Sequence, residues 1–194
     1  MKILAIVGSL RKESLNLQLA QAAQAYLAQA HPTVEFTFLD WAGVPLLNQD
    51  EEYPAPTAVA QVRQAVKAAD GLWLFTPEYN HFFPGTVKNL IDWLSRPPSA
   101  EETQVLAHKP IALSGITPGT SGTALAQDHL VTLLSLLNAR IMNAPRLTIP
   151  SALAQMQNGT LALQASQPYL EKQAEAFLPF ITSRAPAPQV EPTT

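Results

Sequence analysis

No cysteine occurs in the 194 residues. That absence removes disulfides, thiolate nucleophiles, Cys-ligated zinc and iron–sulfur clusters together, so any redox chemistry has to come from a bound cofactor. Basic residues are also few: 12 Lys and Arg against 15 Asp and Glu leave a net charge of −3. With no basic run to track a phosphate backbone, a nucleic-acid partner is not expected. No segment approaches 18 consecutive apolar residues, so no membrane span is expected either. The apolar run from Ile3 to Leu10 is cut at once by Arg11, Lys12 and Glu13, which suits a strand better than a secretory signal, and a cytoplasmic location is expected. His31, His81, His108 and His129 are scattered without an i, i+4 pair, so no metal site is expected. Gly119-Thr120-Ser121-Gly122 misses the G-x-S-x-G elbow by one position, and no G-x-x-x-x-G-K loop occurs, which argues against hydrolase and P-loop chemistry.

What is present is 47% hydrophobic residues in a length that favours one domain. The expected domain is 1–183, followed by a Pro-rich flexible tail at 184–194. Lys2 to Val7 reads as a buried strand, with Leu15, Leu19, Ala22, Ala23 and Tyr26 at helical spacing after it. Val34 to Leu39 alternates like an outer strand, and Asp40 to Pro56 is a long loop with three prolines. A helix over Thr57 to Ala69 precedes the strand LWLF. A helix from about Pro84 places Val87, Leu90, Ile91 and Leu94 on one stripe. Lys109 to Ile116 is a fourth strand, followed by a helix bearing Leu130, Leu133, Leu134 and Leu137. A fifth strand over Arg140 to Ile149 and a helix over Pro168 to Thr182 complete the count. Five strands alternating with five helices predict an α/β fold, a doubly wound five-stranded parallel sheet with helices on both faces.

In such a fold ligands bind beyond the carboxyl ends of the strands. Three loops converge there: Gly8 to Asn16, Thr76 to Pro84, and Ser114 to Thr123. The first joins a strand to a helix N-terminus, whose unpaired amides and positive dipole end favour an anion. Hydroxyls of Ser9 and Ser14 and the Arg11 guanidinium are placed to complete a phosphate cradle, although Ser14 serves equally as an N-cap and Arg11 as a solvated loop residue. The second loop, Pro77-Glu78-Tyr79-Asn80 followed by His81, Phe82 and Phe83, suits a flat, partly apolar ligand on which Tyr79 stacks. Phe82 and Phe83 themselves read as core.

These residues resemble a known family. GSLRKESLN in the first loop, VPLLNQD in the long loop and PEYNHFFPGTVKNLIDWLSR after the third strand are similar to the NADPH-dependent FMN reductase family, flavodoxin-like proteins that include quinone, azo-dye and chromate reductases. The resemblance runs from about residue 2 to residue 150 and implies the sheet order 2-1-3-4-5. It implies FMN as cofactor and NADPH or NADH as electron donor, the FMN phosphate being held by Ser9, Arg11, Ser14 and Asn16 with Leu15 between them. Pro77, Glu78, Tyr79 and Asn80 line the isoalloxazine in this reading, and Ser114 and Gly115 approach its pyrimidine side. Leu125 stands where many relatives carry an arginine.

The implied activity is two-electron, ping-pong hydride transfer from NAD(P)H through FMN to a small-molecule acceptor: a quinone, an azo compound or a flavin. No side chain is required as acid or base, so no catalytic dyad is assigned, and Glu78 and Tyr79 are the expected substrate contacts. A flavodoxin-like electron carrier without its own NAD(P)H oxidase activity is the alternative. The family resemblance and the apolar residues Phe82, Phe83, Trp93 and Val44 to Leu47 predict a homodimer or homotetramer.

Overall fold

The computed structural model describes residues 1–183; the Pro-rich segment 184–194 lies outside the described residues. Strands β1 (Lys2–Val7), β2 (Glu35–Phe38), β3 (Gly71–Phe75), β4 (Pro110–Ile116) and β5 (Arg140–Ile141) form a parallel sheet in the order β2-β1-β3-β4-β5. This is the flavodoxin-like order expected. Helices α1 (Leu15–Ala30), α2 (Thr57–Ala68), α3 (Gly85–Leu94), α4 (Ala124–Leu136) and α5 (Gln167–Thr182) supply the crossovers and cover both faces.

Strand side chains alternate across the sheet, and β3 and β4 are buried on both faces because both faces carry helices, whereas edge strand β2 exposes Glu35 and Thr37. Leu4, Ile6, Leu72, Leu74, Ile111 and Leu113 pack against the apolar stripes of α2, α3 and α4. Ile3, Ala5, Trp73, Phe75 and Ala112 pack against Leu19, Ala23 and Leu27 of α1 and Leu170, Ala174 and Phe177 of α5. One polar chain crosses this second core. The Trp73 indole donates to Ser114 Oγ at 2.7 Å, Ser114 donates to Gln173 Oε1, and Gln173 Nε2 donates to the carbonyls of Leu113 and Pro145. Every member is hydrogen-bonded, which is the condition for burying polar groups without loss.

The expected fifth strand is two strands. After β5 the chain leaves the ladder and returns as β6 (Leu147–Ile149), which pairs β4 at Ser114, Gly115 and Ile116. Pro145 sits in the gap, and a proline has no amide hydrogen with which to continue a ladder. A small antiparallel hairpin, β7 (Met156–Gln157) and β8 (Thr160–Leu161), was not anticipated. Its turn is Asn158-Gly159, both with positive φ, which is the residue pair a two-residue hairpin favours. Gln18 of α1 accepts from the Leu161 amide at 2.8 Å and ties the hairpin down.

The long loop is held against α3 by residues one helical turn apart. Asn89 donates to the Pro45 carbonyl and accepts from the Leu47 amide, both at 2.8 Å, and the Trp93 indole donates to the same Pro45 carbonyl. Arg96 then pairs with buried Glu52, and Tyr53 Oη donates to the Pro97 carbonyl. Buried Arg63 of α2 donates to the Trp93 carbonyl at the end of α3 at 3.1 and 3.3 Å, where a cation is favoured by the helix dipole.

Candidate active site

At the carboxyl edge of the sheet a cleft of about 230 Å³ is lined by Ser9, Arg11, Ser14, Leu15, Asn16, Pro77, Glu78 and Tyr79, with Ile116, Thr117 and Pro118 as the opposite wall. Its floor is a close approach of two loops. A Cβ on Gly8 would lie 3.0 Å from Val87 Cγ2 and 3.2 Å from Pro77 Cδ, so a larger residue would press α3 and the Pro77 loop away from the end of β1.

At one end, Ser14 caps α1: its Oγ accepts from the Leu17 amide at 3.3 Å. The cap does not use its O–H, so the hydroxyl retains a proton to donate into the cleft. Ser9 Oγ likewise accepts from the Arg11 amide at 3.4 Å and keeps its own donor. The amides of Leu15 and Asn16 open the helix and have no intrahelical acceptor. Arg11 is exposed at the rim. Asn16 lines the cleft but its side chain is committed elsewhere. Nδ2 donates to the Ile116 carbonyl at 3.0 Å and Oδ1 accepts from the Ile116 amide at 3.1 Å, so it pairs with both backbone groups of one residue of β4.

At the other end, Tyr79 and Phe82 exchange both backbone hydrogen bonds, at 2.9 and 3.0 Å, across a two-residue turn. Asn80 and His81 occupy that turn with φ of 52° and 61°, as a type I′ hairpin requires. Asn80 therefore serves the turn and does not line the cleft. Tyr79, half exposed at 51%, stands at the mouth. The Tyr79 amide is used by Phe82, so it is not one of the donors available to a ligand.

Glu78 lines the cleft, but its side chain is only 5% exposed and Oε2 accepts from the Ala126 amide at 3.1 Å. Thr123 precedes α4 without a side-chain cap, and the Glu78 carboxylate supplies one from a neighbouring loop, where negative charge is stabilised. Ser114 is fully buried, facing Trp73 and Gln173 on the side of β4 that packs against α5. Gly115 gives the backbone room against Thr123 and the Thr76 carbonyl, a Cβ there lying 2.5 Å from that oxygen. Neither lines the cleft. The wall they were expected to form is made by Ile116, Thr117 and Pro118, the next three residues of the same strand and turn. Thr117 and Pro118 follow directly from the strand end, a signal available in the sequence. Phe83 is core as expected, whereas Phe82 is 43% exposed and stacks on His129 of α4 with centroids 4.1 Å apart.

The family model described as NADPH-dependent FMN reductase matches residues 1–154, which contain every residue of the cleft. The chain belongs to that family. Members of the family are NAD(P)H-dependent and work with FMN. Two curated relatives match over nearly their whole length. A 2-hydroxy-1,4-benzoquinone reductase from Burkholderia sp is 36% identical over 186 residues, covering 95% of this chain and 98% of that one. A quinone reductase of Escherichia coli K12 is 33% identical over 190 residues, covering 93% and 95%. Among solved structures, the flavoenzyme NAD(P)H:(acceptor) oxidoreductase FerB of Paracoccus denitrificans is 33% identical with a TM-score of 0.80, covering 93% of this chain and 96% of that one. An FMN-dependent NADH-azoreductase of Bacillus anthracis solved with FMN shares the fold at 11% identity and a TM-score of 0.64.

The cleft's donor set fits the family's cofactor. One end offers hydroxyls, helix amides and a guanidinium, as a phosphate needs; the other offers the flat faces of Pro77, Tyr79 and Pro118. At about 230 Å³ the cleft is smaller than pockets that engulf a ligand, so a group bound here keeps one side open.

Proposed function

We propose that this chain is an FMN-dependent NAD(P)H oxidoreductase that reduces small quinone-like acceptors, with azo compounds and free flavins as further substrates. The observation that carries the reading is the meeting of an anion cradle at the α1 N-terminus with the flat walls Pro77, Tyr79 and Pro118 in one cleft. When bound, FMN supplies two-electron transfer in a ping-pong sequence, for an overall balance of NAD(P)H, a proton and a quinone giving NAD(P)+ and the hydroquinone. Ser9, Ser14, the first amides of α1 and Arg11 hold the phosphate in this reading. Pro77, the Glu78 backbone and Tyr79 orient the ring, and Thr117 and Pro118 close the side opposite. Tyr79 at the mouth meets the acceptor. Glu78 acts at one remove, because its carboxylate holds the start of α4 against the cleft loop.

The exposed Tyr79, Phe82 and Leu125 lie on the 79–82 turn and the first turn of α4, an apolar surface that favours a homodimer or homotetramer. Among the described residues no helix is long and apolar enough to cross a membrane, and we place the enzyme in the cytoplasm.

Purified protein should be yellow and release FMN on denaturation. Arg11→Ala should weaken FMN binding by about tenfold or more, about 1.4 kcal/mol. Steady NAD(P)H oxidation with a quinone and no protein partner separates an enzyme from an electron carrier. A colourless protein that gains no visible absorbance from added FMN refutes the cofactor, and light scattering at the monomer mass refutes the oligomer.

A further inference from the structure

A second groove, separate from the flavin cleft, shares no lining residue with it. It encloses about 560 Å³ between strand β6, the first turns of α5 and the segment before the β7–β8 hairpin. Arg146, Gln155, Tyr169 and Lys172 line it together with Thr148 and the prolines at both ends of β6.

Two of its polar atoms are buried without a hydrogen-bond partner among the described residues. Gln155 Oε1 has none, and Arg146 Nη1 has none although it lies 2.7 Å from Asp128 Oδ1, the contact being misaligned for a hydrogen bond. The Gln155 oxygen is costly to leave unmet, so the groove is short of one donor, whereas the Arg146 nitrogen is compensated by its ion pair with Asp128. Its charge is also uneven. Asp128 offsets part of the Arg146 charge from the rim, whereas Lys172 makes no ion pair among the described residues. The Tyr169 ring is 65% exposed beside it, an apolar face with no aromatic ring stacked on it among the described residues.

These features define a ligand. Two cations with one partial counter-charge match a phosphate monoester, which carries about −1.5 to −2 at neutral pH, better than a single carboxylate. The exposed tyrosine face suits a planar heteroaromatic ring, since bases stack on aromatic side chains. An unpaired amide oxygen wants an N–H donor such as the exocyclic amine on the edge of a base. A volume of about 560 Å³ falls within the range of small-ligand sites.

We propose that this groove is a second, non-flavin site that binds an adenine nucleotide by its phosphate. Arg146 and Lys172 take the phosphate, Tyr169 stacks on the base and Gln155 accepts from its amine. The same chemistry is offered by a free mononucleotide and by the adenosine end of a nicotinamide dinucleotide. The site stands independently of the flavin reading, because no lining residue is common to the two.

The test is calorimetric titration of the purified full-length protein with adenosine 5′-monophosphate. Saturable 1:1 binding is expected, weakened about tenfold or more when adenosine replaces the nucleotide and about tenfold or more by Lys172→Glu. Tyr169→Ala should weaken it about threefold or more. Both side chains are exposed, so both variants should keep the parent's melting temperature, and FMN titration should be unchanged in them. Displacement of the nucleotide by NADPH assigns the site to the dinucleotide's adenosine end; indifference to NADPH assigns it to a free nucleotide. Absence of saturable binding at millimolar concentration overturns the proposal, and so does binding that Lys172→Glu and Tyr169→Ala leave unchanged. A failure of FMN binding alone leaves this titration unaffected and refutes only the flavin reading.

Discussion

Replacing Asn16 by alanine distinguishes a residue that touches the ligand from one that holds the site together. Its amide makes two hydrogen bonds to the backbone N–H and C=O of Ile116, at 3.1 and 3.0 Å, and the side chain is buried between α1 and the end of β4. Two neutral hydrogen bonds contribute about 1–3 kcal/mol together, and leaving a buried donor and acceptor unmet costs about 1–3 kcal/mol each. Water from the adjoining cleft can satisfy part of that need, so the expected loss is about 2–4 kcal/mol. For a domain of this size that corresponds to a fall in Tm of roughly 5–15 °C. The assay is thermal unfolding of the FMN-free protein by circular dichroism, because bound ligand adds stability by mass action and masks the term. FMN affinity should also fall, through the lost position of the α1 N-terminus. An FMN-free variant with unchanged Tm and a tenfold weaker FMN affinity would refute the reasoning and make Asn16 a phosphate ligand.

Three further outcomes follow from the same geometry. Ser114→Ala breaks the chain between Trp73 and Gln173 and should cost about 1–3 kcal/mol in urea unfolding while leaving the FMN dissociation constant unchanged; a weakened FMN complex at full stability would return Ser114 to the cleft. Glu78→Ala removes the acceptor of the Ala126 amide and should cost about 0.5–2 kcal/mol, with Glu78→Gln recovering most of it; equal melting temperatures for all three proteins would contradict the capping role. Hydrogen bonds from Arg96 hold the Glu52 carboxyl below its ordinary 4.5 in spite of burial. A carboxyl lowered in the folded state adds stability that is present above its unfolded pKa and is lost as pH falls through the folded value. Glu52→Gln should therefore cost on the order of 1 kcal/mol at pH 7, and the gap to the parent should close below about pH 4.5. A gap that persists in acid excludes the ion pair as its source.

The strands and all five helices were legible because their information is local: alternating apolar residues, i, i+3, i+4 stripes and turn residues at the boundaries; the sheet order joins segments far apart in the chain and was legible only through the family resemblance. Where the reading failed, one proline or one side-chain direction decided. Pro145 splits the last strand, and the Asn158-Gly159 pair that announces the β7–β8 hairpin lay in a stretch too short in apolar residues to draw notice. In the site, the loops were legible and the directions were not. Ser114 and Ile116 are two residues apart on one strand, and period-two alternation cannot say which strand end rises into the cleft and which stays beneath α5. Asn16 and Glu78 lie at the expected place with their polar atoms turned to Ile116 and Ala126, partners that are 100 and 48 residues away along the chain.

Asn89, Trp93 and Arg96, which lie in the stretch that carries the family resemblance, touch the 45–53 loop and not the cleft. What these three side chains form is thus a tether. Between its anchor points at Pro45 and Glu52 the loop carries Leu46, exposed to 82%, whose side chain bears none of the restraint. Substitution or deliberate grafting at that tip can proceed without loosening the scaffold.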